Sequence, residues 1–122
     1  MANNKTILML EDDEMIAEIY QKQLEKAGFK VEVLAEGAKA AEKIKNEEPD
    51  VALLDLLIPG GGGIEILKQL QGWEGKTKKI IFSNSQDPES EQEAMSLGAS
   101  AFLIKADYTP AKLLEAVNKI IQ

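Results

Sequence analysis

Four polar positions end apolar runs in this sequence, and their chemistries complement one another. Ile7-Leu8-Met9-Leu10 stops at Glu11, Asp12 and Asp13, and Val51-Ala52-Leu53-Leu54 stops at Asp55. The stretch 79–82 stops at Ser83 and Asn84, and Ala101-Phe102-Leu103-Ile104 stops at Lys105. Carboxylates gathered in one place repel one another. A hard divalent cation relieves that repulsion, with carboxylate oxygens as its natural ligands. Magnesium takes few protein carboxylates and leaves positions for water and a phosphoryl oxygen. A lysine and a hydroxyl beside it would face a bound anion. Together these groups suit phosphoryl transfer, which needs charge neutralisation and in-line positioning. The candidate nucleophile is a carboxylate, which forms an acyl phosphate.

That chemistry requires four sequence-distant points to meet, and the intervening elements provide for it. From Asp13 to Ala27 the apolar period becomes helical, which predicts Met15, Ile16, Ile19, Tyr20 and Leu24 on one inward face. Asp13 is the expected N-cap, with Glu14 in the first turn. Gly28 is the expected stop. The alternation over 30–34 predicts a second strand. A small-residue helix is expected over 37–46, with Ala38, Ala41 and Ile44 inward. Pro59 and the glycines at 60–63 make a turn, and the helix after it carries Ile64, Leu67 and Leu70. Residues 72–77 read as loop. Another helix is expected over 88–97, closed by Gly98. Thr109 caps a last helix with Pro110 at its first position, burying Leu113, Leu114, Val117, Ile120 and Ile121. Five short apolar strands therefore alternate with five helices. This is the pattern of an α/β, doubly wound parallel sheet covered on both faces. Ligands of such sheets bind outside the carboxyl ends of the strands, where all four polar positions fall. Only the second strand ends without chemistry, in Ala35 and Glu36.

Composition narrows the options further. The 122 residues suit one domain, expected to run over 1–122 with no output domain, and no apolar run approaches the roughly 18 residues of a membrane span. The sequence has neither cysteine nor histidine, so disulfides, thiol chemistry, ordinary zinc or haem ligation and histidine-dependent triads are excluded. All 14 basic residues are lysines, so an anion must be met by lysine, backbone amides or a metal. The net charge of −7 argues against direct nucleic-acid binding. The short basic stretch Lys76-Thr77-Lys78-Lys79 reads as a solvated loop leading into a strand.

These motifs, taken in order, resemble the receiver domain of two-component response regulators, of the chemotaxis-regulator type. The resemblance covers essentially the whole chain. It rests on Ile7–Leu10 followed by Glu11-Asp12-Asp13, and on Asp55-Leu56-Leu57-Ile58-Pro59 with Gly63 four residues on. Ser83 after its strand and Lys105 after Phe102-Leu103-Ile104 complete it. The resemblance implies a flavodoxin-like sheet of order 2-1-3-4-5. It implies that Asp55 accepts a phosphoryl group from a phosphohistidine on a sensor histidine kinase or phosphotransfer protein. Glu11 and Asp12 would hold Mg²⁺ together with Asp55 and the Leu57 carbonyl. Lys105, Ser83 and the Asn84 amide would bind phosphoryl oxygens, and Ser83 with Phe102 would form the switch. The output would be a changed surface on the fourth helix, fifth strand and fifth helix, read by a downstream protein. Such a protein would be cytoplasmic, monomeric or dimeric on phosphorylation, and not an enzyme beyond slow self-dephosphorylation.

Three single positions and one glycine run depart from the family pattern. Ala106 stands where proline usually follows the lysine, and Asn84 where a small residue usually follows the serine. Phe102 replaces a frequent tyrosine. The glycines at 60–63 are more numerous than usual, which predicts a mobile loop. Asn84 is expected to narrow access to Asp55. Two other readings compete. A magnesium-dependent phosphatase with an aspartate nucleophile would need a second acid at position 57, which is Leu. A receiver-like interaction module acting without phosphorylation would be expected to have lost Asp55, the acidic pair or Lys105, and all are present.

Overall fold

The computed structural model describes residues 3–122. Its strands are β1 (Thr6–Leu10), β2 (Lys30–Leu34), β3 (Val51–Leu54), β4 (Lys78–Ser83) and β5 (Ala101–Ile104). They alternate with α1 (Glu14–Lys26), α2 (Ala40–Glu47), α3 (Gly63–Gln69), α4 (Pro88–Ser96) and α5 (Pro110–Ile121). All neighbouring strands pair in parallel, in the order β2-β1-β3-β4-β5. The doubly wound sheet expected from the sequence is the one observed. No helix among the described residues is long and apolar enough to cross a membrane.

Because strand side chains alternate between faces, each central strand feeds two cores. Leu8, Leu10, Ala52, Leu54 and Ile81 meet Ile44, Ile66, Leu67 and Ala94 on one side. Ile7, Met9, Val51, Leu53, Ile80 and Phe82 meet Ala17, Leu24, Leu113 and Val117 on the other. Each fully buried Leu or Ile contributes roughly 1.5–3 kcal/mol, and β3 is buried along its entire length. This makes β3 a rigid base for the residue that follows it.

The helix caps follow local chemistry. The Asp13 carboxylate accepts the Met15 and Ile16 amides at 3.0 and 3.1 Å, as an N-cap should. Thr109 accepts the Lys112 amide at 3.2 Å, with Pro110 at the first helical position. Two expectations fail. On α1, Met15 and Ile19 are exposed, at 75% and 54%. The inward stripe is instead Ala17 and Leu24 with half-buried Ile16 and Tyr20. Alanine carries little hydropathy, so its central place in the stripe was hidden. α2 begins at Ala40 rather than at position 37, and Ala38 is exposed. Gly37 spends its N–H on the Pro59 carbonyl at 2.9 Å, outside any helix.

That bond ties the loop before α2 to the glycine-rich loop before α3. The glycines there serve close approach. A Cβ on Gly62 would overlap the Leu56 carbonyl oxygen, and one on Gly63 would lie 2.7 Å from Ile81 Cδ1. The loop expected to be mobile is packed against the segment that follows Asp55.

Candidate functional site

Register decides which strand ends meet. Leu10 pairs with Leu54, so Glu11 and Asp55 leave the sheet side by side. Ser83 pairs with Ile104, so Asn84 and Lys105 leave it together. Glu11, Asp55 and Ser83 are all buried, at 5%, 8% and 2% exposure, although each is polar. Buried polar groups need partners, and these three find them in one another, in Lys105 and in nearby backbone amides. Ser83 Oγ donates to Asp55 Oδ1 at 2.9 Å. The Leu57 amide donates to the same oxygen at 3.1 Å. Lys105 Nζ donates to Asp55 Oδ2 at 2.6 Å and also to Glu11 Oε1. Glu11 Oε2 accepts the Asp13 amide at 3.1 Å, which fixes that carboxylate from its other side.

The ammonium thus bridges two buried carboxylates. Burial works against its charge, but the bonds to Asp55 and Glu11 more than offset this, and its pKa lies above the ordinary lysine value. Beneath it lies an aromatic group. Lys105 Nζ sits 5.9 Å from the centre of the Phe82 ring. Tyr20 and Tyr108 meet that ring edge-on at 5.1 and 6.4 Å. The Tyr20 hydroxyl donates to the Tyr108 carbonyl at 2.9 Å, and burial raises its pKa.

The structure therefore brings Asp55, Ser83, Lys105 and Glu11 into one bonded group. Asp55, Leu57, Ser83, Asn84, Ser85 and Lys105 line an open cleft of about 380 Å³. Asp12 is exposed beside them on the same edge. Leu57 is 76% exposed and lines the cleft. Phe102 is half-buried, paired in register with Ile81 and packed on the α2–α4 core. Asn84 lies at the mouth, where its Oδ1 accepts the Ala106 amide at 3.1 Å. The two residues that depart from the family pattern beside Ser83 and Lys105 meet each other.

The sequence reading missed the aromatic support under Lys105. It also assigned Leu57 only a carbonyl role. The signal for its amide was available, since an aspartate at a turn accepts the N–H two residues on. Among the described residues no three acidic side chains form a preformed metal cage. The donor set nevertheless fits a hard cation. Two carboxylates already converge on one positive charge, and Asp12 follows Glu11 in the chain with its side chain exposed.

A parallel sheet of this order, with a buried carboxylate flanked by hydroxyl and ammonium at its carboxyl edge, defines a receiver-type α/β domain. The family model for the response regulator receiver domain matches residues 7–118, and the chain belongs to that family. It is 31% identical over 116 residues to the chemotaxis protein CheY of Bacillus subtilis, covering 94% of this chain and 96% of that protein. It is 31% identical over 124 residues to the alkaline phosphatase synthesis transcriptional regulatory protein PhoP of the same organism. That match covers 98% of this chain but 49% of PhoP, so the chain spans about half the length of that relative. Among solved structures, a CheY-like receiver domain protein from Methanospirillum hungatei superposes with a TM-score of 0.89. It is 29% identical, and the match covers 98% of this chain and 94% of that one.

Proposed function

We propose that this receiver domain accepts a phosphoryl group on Asp55. The observation that carries the reading is the state of that carboxylate. It is buried and held from both oxygens by Ser83 and Lys105, yet it borders an open cleft. An Asp55 oxygen attacks the phosphorus of a phosphohistidine. The P–N bond breaks, the imidazole leaves with its electron pair, and an acyl phosphate remains. The donor is a sensor histidine kinase or a phosphotransfer protein.

Lys105 holds a fixed positive charge where the incoming oxygens gain negative charge, which lowers the barrier without reorganisation. Ser83 exchanges its bond to Asp55 for one to a phosphoryl oxygen. Asn84 has its carbonyl committed to Ala106, which leaves its amide nitrogen as a further donor. Glu11, Asp12, Asp55 and the Leu57 carbonyl are the groups that would hold Mg²⁺, and a cation bound there would supply charge neutralisation for the transferring group. Movement of Ser83, with repacking of Phe102, changes the surface formed by α4, β5 and α5. That is a population shift rather than a new fold. A downstream protein reads the surface. The protein acts in the cytoplasm, as a substrate of its kinase that slowly releases phosphate.

Incubation with acetyl phosphate and Mg²⁺, read by intact mass, tests the reading. One added phosphoryl group, absent with EDTA and removed by hydroxylamine as acyl phosphates are, is the expected result. No addition, with a phosphohistidine donor also tried, would instead indicate an interaction module that works without phosphate.

A further inference from the structure

The bonds at the cleft close into a ring. Asp55 Oδ1 accepts from Ser83, whose chain neighbour is Asn84. Asn84 Oδ1 accepts the amide of Ala106, whose chain neighbour is Lys105. Lys105 returns to Asp55 through Oδ2 at 2.6 Å. The two groups that grip opposite oxygens of one carboxylate are therefore joined to each other behind it. Without the Asn84 bond, Ser83 sits at the end of β4 and Lys105 begins a short 3-10 turn over 105–107. These segments would then be joined only through the last β4–β5 pairing, Ser83 with Ile104, and through Asp55, with no backbone bond among the described residues tying the turn to β4 beyond the end of the ladder. Ala106 and Asn84 are both exposed, so the bond contributes little to core packing.

We propose that Asn84 is a positioning residue, tying the loop that carries Lys105 to the end of the strand that carries Ser83. The hydroxyl and the ammonium then keep one relative placement around Asp55 and move together. The tie also gives any displacement of Ser83 a direct mechanical route to the 105–107 turn. That turn leads to Tyr108, whose carbonyl is held by Tyr20 on α1. The proposal rests on the reading of Asp55 as phosphoacceptor for its kinetic consequence. The tie itself does not depend on that reading.

A wall of the cleft would behave differently from a tie. If Asn84 only obstructs the mouth, Asn84→Ala lets small donors in more easily and lowers the concentration of acetyl phosphate needed for half-maximal rate. If Asn84 positions Lys105, the maximal rate falls and that concentration stays unchanged. Ala106→Pro deletes the donor N–H from the other side of the same bond.

The experiment compares wild type, Asn84→Ala, Ala106→Pro and the double variant. Hydrogen exchange at the Ala106 amide is measured in wild type and Asn84→Ala, and phosphoryl uptake with Mg²⁺ in all four, with thermal midpoints as a folding check. The expected result is faster exchange of the Ala106 amide in Asn84→Ala. With it, either single variant loses maximal rate by roughly five- to tenfold, the size of one hydrogen bond, and the double variant loses no more than the worse single. Unchanged exchange at Ala106 overturns the tie. Independent, multiplying losses, or an Asn84→Ala protein that is faster than wild type, overturn the positioning role. If wild type takes no phosphoryl group, the reading of Asp55 fails and the kinetic role with it, while the exchange result still decides the tie.

Discussion

Two aspartates bracket β3, and they live in opposite ways. Asp50 precedes the strand. Its carboxylate accepts the Thr6 amide at 2.8 Å and the Thr6 hydroxyl at 3.4 Å, and its own amide donates to the oxygen of the same hydroxyl at 3.2 Å. Its carbonyl accepts the Lys78 amide at 3.0 Å, so its hydrogen-bond partners are neutral groups at the starts of the two neighbouring strands. Asp55 follows the strand. It is held by a lysine from beyond β5 and a serine from the end of β4, and it opens onto a cleft. Residue type and strand are the same. The difference is that Asp50 completes a local hydrogen-bond scheme, whereas Asp55 holds together charged and polar groups from several elements. A parallel sheet places stitching at one edge and chemistry at the other.

The comparison can be broken most severely at Lys105. Lys105→Ala is expected to slow phosphoryl uptake by about a hundredfold, the scale of losing one charge-stabilising donor. A rate within a factor of about two of wild type would place Lys105 with the stitching residues. Next in size are the acidic partners. Asp12→Asn and Glu11→Gln should each raise the Mg²⁺ concentration needed for half-maximal uptake by about tenfold, roughly one ligand or charge-assisted bond. An unchanged Mg²⁺ titration in both would remove them from the metal site.

Asp50→Ala sharpens the contrast from the other end. It should cost about 1–3 kcal/mol of stability, because the Thr6 amide loses its acceptor. Its uptake of phosphate should match wild type at a temperature where both are folded. The smallest effect concerns pH. The folded-state pKa of Lys105 is raised, so the stability from its pairing is fully present below its unfolded value and lost as pH climbs through the folded value. The gap in thermal midpoint between wild type and Lys105→Met should therefore hold constant up to about pH 10 and narrow above it. A gap that narrowed between pH 5 and 8 would contradict that assignment.

Much of this was legible before the structure, for physical reasons. Strands buried on both faces are continuously apolar, so a polar residue that ends each run is conspicuous. That made Glu11, Asp55, Ser83 and Lys105 readable as one edge, and register brought them together. The inward face of α1 was misread because Ala17 lacks the hydropathy that Met15 and Ile19 display. The start of α2 was misread because Gly37 and Pro59 share a bond across two loops, which no local pattern encodes. The bond between Asn84 and Ala106 was hidden for the same reason. Each residue stood out alone as a departure, and only the fold shows that they are partners.

The most direct test of the central claim sets the two aspartates side by side. Wild type, Asp55→Asn and Asp50→Asn would each be incubated with acetyl phosphate and Mg²⁺ and weighed intact. One phosphoryl group on wild type and on Asp50→Asn, with none on Asp55→Asn, is the predicted result. A phosphoryl group retained by Asp55→Asn, or none on wild type, would contradict it.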